Sequence, residues 1–120
     1  MVSGRDTSSY RLLSKGVEKK LPVSIIEWVN SSKKERGVHV TDHEGIHFLL
    51  IATGLKPNPG HRLVVEQMKE NTLYIREVPP AEGSMAPQVV TYPYLLLKGK
   101  GNPPQVLDSI TGKQLIIADP

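Results

Sequence analysis

Hydrophobic positions along the chain change period once, and the change divides it into a helical part and a β part. Between Pro22 and Gly37, Ile25, Ile26, Trp28 and Val29 return at spacings of three and four, the repeat of one helix face. Pro22 suits a first helical turn, and Lys33, Lys34 and Arg36 gather at the end where the helix dipole favours cations. This predicts one helix over 22–35. Upstream, residues 1–15 are polar and Ser-rich, with Tyr10, Leu12 and Leu13 as an apolar group, so a loosely ordered start with a short strand or docking segment is expected there.

From residue 38 the pattern becomes short runs of Val, Ile, Leu, Thr and Tyr broken by Gly, Pro and Asn, the signature of antiparallel strands. The predicted strands are 38–41, 46–53, 61–69, 72–78, 88–97, 105–109 and 114–118. Asp42-His43-Glu44-Gly45, Glu70-Asn71 and Thr111-Gly112 are short enough to close hairpins. Ile46 to Ala52 is almost continuously apolar, which on a strand requires cover on both faces and therefore a central place. Pro93 interrupts the run 88–97 and cannot donate to a ladder, which places it at an edge or a bulge. The expected fold is α+β and β-rich: one N-terminal helix packed on a largely antiparallel β-sandwich or partly open barrel of about seven strands. Residues 16–120 are read as a single domain, with 1–15 as a loosely ordered N-terminal segment.

Composition narrows the function. A chain of 120 residues with 38% hydrophobic and 22% charged residues can bury a core as one domain. The absence of cysteine removes disulfides, thiolate metal sites and cysteine nucleophiles. No apolar run approaches the roughly 20 residues of a membrane helix, and the first residues lack the apolar core of a signal peptide. The sequence as written reads as cytoplasmic, with export after loss of a leader as the alternative. The net charge of +3 is mildly basic and does not demand a polyanion.

Candidate chemistry is sparse. His39, His43 and His47 are four apart, but a hairpin falls between them, so surface or turn histidines are expected rather than a metal site; no metal and no cofactor is assigned. Ser84 lacks the surroundings of a nucleophile elbow and reads as a loop serine. Glu66, Glu70, Glu77 and Glu82 show no spacing that marks an acid–base pair. Lys15, Lys19, Lys20, Lys33, Lys34 and Arg36 could meet phosphates, but Glu18, Glu27 and Glu35 interrupt them and 5% aromatics supply no stacking platform. Asn30-Ser31-Ser32 matches a glycosylation sequon inside the predicted helix and reads as coincidence.

The most distinctive segments are Gly54-Leu55-Lys56-Pro57-Asn58-Pro59-Gly60-His61 and Val78-Pro79-Pro80-Ala81-Glu82-Gly83, the second leading to Val89-Val90-Thr91-Tyr92-Pro93-Tyr94. Their prolines fix φ and make stiff connections between strands. In this order, with Trp28-Val29 upstream, Ala52-Thr53-Gly54 at a strand end and Val64-Val65-Glu66 in the next strand, the sequence resembles the C-terminal domain of the PrcB family, over about residues 20–98. That family is named for a subunit of a bacterial surface protease complex. His61 stands where the family pattern more often has Tyr, and Asn58-Pro59 where it prefers Thr-Gly. A more distant similarity, in the proline–glycine loop alone, links the chain to chagasin-like cysteine-protease inhibitors. The resemblance implies a β-rich accessory domain without catalysis of its own, whose partner is another protein such as a protease.

The reading from residues points the same way. Lys56, Pro57, Asn58, Pro59, Gly60, His61 and Pro80, with Tyr92 and Tyr94, are expected to form a partner-binding face at one end of the sheets, because pre-stiffened loops lose little entropy on docking. Two other readings are carried beside it: polyanion or nucleic-acid binding through the basic helix face, and a small-ligand pocket or hydrolase site. The oligomeric state is left open by the sequence.

Overall fold

The computed structural model of the protein describes residues 10–69, 71–83 and 87–115. In chain order the elements are β1 (Arg11–Leu12), α1 (Lys15–Glu18), α2 (Val23–Ser32), β2 (Gly37–His43), β3 (Ile46–Ala52), β4 (Arg62–Lys69), β5 (Thr72–Val78), β6 (Tyr94–Gly99) and β7 (Gln105–Asp108). They form three layers. A four-stranded antiparallel sheet of order β1-β6-β3-β2 lies between α2 and a three-stranded sheet of order β4-β5-β7, in which β5 and β7 run parallel. The β-rich, helix-on-sheet expectation holds, and of the two forms considered the sandwich is the one adopted.

The apolar run of β3 explains the layering. Leu49 and Ile51 point toward the second sheet and pack with Val38, Leu63, Leu73, Ile75, Leu97 and Val106. Phe48 and Leu50 point the other way and pack with Leu13, Ile25, Val29 and Leu96 under the helix. Leu49, Leu50 and Ile51 have no solvent exposure, so one strand contributes to both cores. Full burial of such side chains stabilises by about 1.5–3 kcal/mol each. β3 sits between β2 and β6, the central place its sequence calls for.

The β2–β3 hairpin turns on Glu44 and Gly45, with φ of 52° and 82°. Positive φ at both central residues matches strand twist in a two-residue hairpin, and it is why glycine stands second. The β4–β5 hairpin closes with Lys69 opposite Thr72, as the sequence suggests, although Glu70 itself lies outside the described residues. Asp108 organises the third turn: its Oδ1 accepts from the amides of Ile110 (2.8 Å) and Thr111 (3.1 Å), and these bonds hold its carboxyl below the usual range.

Several boundaries differ from expectation. The helix ends at Ser32 rather than 35, and Pro22 caps it from outside instead of lying in its first turn. A four-residue helix, α1, precedes it; Ser14 caps this turn through Val17 N, a local signal too short to show as periodicity. In the N-terminal stretch, Tyr10 and Leu13 are buried in the two cores and Arg11–Leu12 pairs with β6, the short strand foreseen there. The predicted strand 88–97 is the largest correction, since regular pairing starts only at Tyr94. Pro87 and Pro93 lack the amide a ladder needs, and residues 87–90 are exposed. Of the predicted strand 114–118, Gln114 bridges Leu107; residues 116–118 lie outside the described residues, as do 1–9 and Ser84.

Candidate functional site

The sequence-predicted loops meet at one end of the sandwich. Beyond β3 and β6 the two chains continue as an irregular ribbon. Thr53 N donates to Pro93 O (3.1 Å), and Lys56 and Thr91 then exchange both backbone hydrogen bonds (2.8 and 2.9 Å). Between these contacts three steps on one chain face two on the other, so the ribbon contains a bulge, and Gly54 with φ of 79° sits in it. Pro93 thus flanks a bulge, as its missing amide predicts. Buried Thr53 secures the corner by donating its hydroxyl to Gly54 O at 2.9 Å.

The 56–61 loop rests against the 79–80 segment. Asn58 Oδ1 accepts from Gly60 N (2.9 Å), closing a local turn between Pro57 and Pro59. Gly60 lies so close to Pro80 that an added Cβ would stand 2.6 Å from the proline Cβ. Three charged groups brace the loop from below. Arg36 Nη2 meets Glu77 Oε2 at 2.6 Å, Lys56 Nζ meets Glu77 Oε1 at 3.2 Å, and Arg36 Nη1 also donates to Thr53 O at 3.3 Å. One carboxylate therefore ties the entry of β2, the end of β5 and the loop after β3. Burial alone would raise the Glu77 carboxyl, but the hydrogen bonds and charges of Arg36 and Lys56 outweigh it and hold the group below the usual carboxylate range. The Arg36 guanidinium is correspondingly pushed up by its bond to Glu77. Arg36 and Glu77 are site residues that sequence reasoning assigned elsewhere, to a basic helix end and to a dispersed set of carboxylates.

Several apolar side chains of these segments are exposed. Leu55, Val89 and Val90 are 57%, 58% and 54% exposed, and Pro57, Pro59 and Pro79 are exposed with them. Asn58, Gly60, His61, Pro80 and Tyr92 are partly buried, and Lys56 is turned toward Glu77. The structure thus brings Lys56 to His61 together with Pro80 and with Thr91 of the segment before β6. Tyr94 faces elsewhere: its hydroxyl donates to Glu18 Oε1 (2.6 Å) beside the helices, and the Lys15 ammonium lies 3.7 Å from its ring centre.

The other candidate groups do not converge. His39 and His43 lie on the helix-facing side of β2, whereas His47 pairs with Asp42 and belongs to the opposite face of the sheet. His39 is buried rather than a surface histidine, and its Nε2 donates to Glu35 O at 2.8 Å. Among the described residues no three His, Asp or Glu side chains gather as metal ligands. Glu66 pairs with Arg76 at 3.1 Å and Glu77 is held by two cations. Of the basic cluster, Arg36 is held by Glu77 at 2.6 Å, and Lys15 lies 3.9 Å from Glu18. Among the described residues no helix is long and apolar enough to cross a membrane.

Residues 47–99 match the family model described as PrcB C-terminal. The match runs from β3 to β6, under half of the chain, and takes in both loops and the bulged ribbon. It is narrower than the resemblance read from the sequence, because α2 with Trp28-Val29 falls outside it. No curated protein and no solved structure matches the chain. The resemblance to the PrcB C-terminal family is thus shown for the segment that carries the loop face.

Proposed function

We propose that this domain is a non-catalytic protein-binding module whose docking face is the bulged ribbon and its two loops, and that its partner is a protease or a component of a protease complex. The observation that carries the reading is the coincidence of exposed Leu55, Val89 and Val90 with a backbone fixed by the Lys56–Thr91 pair and the Arg36–Glu77–Lys56 brace. Exposed apolar side chains on ordered loops cost little entropy to bury, the condition for a small interface to bind well. Tyr92, opposite Leu55 in the register of the bridge, adds an aromatic with few rotors. The family match supports the partner class, since the matched segment holds this face.

Lys56, Pro57, Asn58, Pro59, Gly60, His61, Pro80 and Tyr92 remain the proposed contact set, with Leu55, Val89 and Val90 added. Whether binding stabilises or inhibits the protease follows from activity measured with and without the domain. The test is affinity capture from source cells with identification by mass spectrometry, comparing the native chain with Leu55→Asp/Val90→Asp. Both changes are at exposed positions, so circular dichroism should show an intact fold. A proteolytic component recovered by the native chain and lost from the variant supports the proposal. Equal recovery by both, or no enriched protein, overturns it.

A further inference from the structure

On the helix-covered side of the first sheet, α1, α2 and the start of β6 border an open groove of about 320 Å³ that the protein-binding reading does not use. Its floor is apolar, formed by Leu21, Ile26, Val29 and Leu96. Its rim is cationic: Lys15 and Lys19 line it, and Lys15 and Lys33 approach the Tyr94 ring to 3.7 and 5.8 Å. The carboxylate in the lining, Glu18, is occupied, accepting the Tyr94 hydroxyl at 2.6 Å and lying 3.9 Å from Lys15. Two ammonium groups, those of Lys15 and Lys33, therefore stand over the Tyr94 wall of the groove, with Lys19 on its lining and one committed carboxylate beside them.

We infer that this groove binds a small amphiphilic carboxylate, with its apolar body on Leu21, Ile26 and Leu96 and its anionic head between Lys15, Lys19 and Lys33. The volume is at the lower end of small-molecule sites, about 300–1,000 Å³, and apolar walls with a few placed polar groups are their usual make-up. Charge complementarity selects the head group. Two ammonium ions over one ring repel each other, and an anion between them relieves that repulsion while keeping their contact with the aromatic face. Burial, opposed by Glu18 and aided by Lys33, lowers the Lys15 pKa. The Tyr94 hydroxyl, raised by burial and by Glu18, stays protonated and holds one wall of the groove in place.

Titration of the 15N-labelled protein with sodium octanoate, 1-octanol and octylammonium chloride, followed by amide NMR shifts, tests the inference. Octanoate is expected to give saturable shifts confined to residues 15–30 and 94–96, with an affinity about ten-fold above octanol, and octylammonium to give none. Lys15→Gln/Lys33→Gln should lower octanoate affinity about ten-fold and leave octanol binding unchanged, as expected for removal of two partly exposed charge contacts. Shifts that are scattered or fail to saturate overturn the proposal. So does binding of octanol or octylammonium as tight as that of octanoate by the native protein, a comparison that does not depend on the variant folding.

Discussion

Substituting Gly60 by Ala places one methyl group where the two loops of the docking face touch. The new Cβ would lie 2.6 Å from Pro80 Cβ, 3.1 Å from Asn58 Oδ1 and 3.3 Å from Pro80 Cα. Carbon atoms pack at about 3.5–4.0 Å, so Pro80 must retreat by roughly 1 Å. Pro80 is a rigid ring on a chain held two residues back by Val78 opposite Arg62, and it cannot swing aside as a long side chain would. Overpacking of this kind costs about 1–3 kcal/mol. Against it stands a gain of about 0.4–1 kcal/mol from the stiffer unfolded chain. The expected net loss is about 1–2 kcal/mol. For a domain of this size, with a urea m-value of about 2 kcal/mol/M, the midpoint should fall by roughly 0.5–1 M at unchanged m. The control is Gly16→Ala, inside α1, where an added Cβ meets nothing within 4 Å. There helix propensity and chain entropy act together, and stability should rise by about 0.5–1 kcal/mol. Amide shifts at Glu77 and Lys56 should move in Gly60→Ala alone. If both alanines raise the midpoint, or Gly60→Ala leaves those shifts in place, the two loops are not in contact and the preformed docking face does not exist.

Gly99→Ala is expected to be more damaging, because its Cβ would stand 2.7 Å from Tyr10 Cα and 2.6 Å from Tyr10 Cγ; a loss of about 3 kcal/mol in urea unfolding is expected, with exposure of the otherwise buried Tyr10 followed by its fluorescence. Glu77→Gln removes the shared partner of Arg36 and Lys56, and a loss of about 1–2 kcal/mol at pH 7 follows from two charge-assisted contacts to a carboxylate that is 29% exposed. Because the folded Glu77 carboxyl is depressed below its unfolded value of about 4.3, its contribution is complete above that pH and disappears as the pH falls through the folded value. Unfolding curves of native and variant chains should therefore converge in acid, and a constant gap from pH 7 to pH 3 would refute the brace. Glu44→Asn should stabilise the β2–β3 hairpin by a few tenths to about 1 kcal/mol, because Glu44 holds φ of 52° and asparagine tolerates that region better; a lower thermal midpoint would contradict the turn geometry.

Much of this architecture was legible in the chain. The apolar run of β3 announced cover on both faces, the three-and-four spacing of Ile25, Ile26, Trp28 and Val29 announced the helix, and Gly45 announced a hairpin, because each signal is local and each reports a backbone period or a φ requirement. The stiffness of the 56–61 loop was equally visible in its prolines. What local pattern could not state is which distant residues share a surface. Arg36 looked like a helix-end cation and Glu77 like one carboxylate among several, and only the packing of the two sheets sets them 2.6 Å apart beneath Lys56. Tyr92 and Tyr94 looked like one aromatic pair, but Tyr94 points to the helices, where Glu18 and Lys15 hold it. The extended reading of residues 88–93 failed because strand propensity is realised only where a neighbour accepts the pairing, and a bulge at Gly54 leaves a single bridged pair there. Sequence determined the elements through short-range sterics and periodicity; the surface and the groove are products of contacts between residues far apart in the chain.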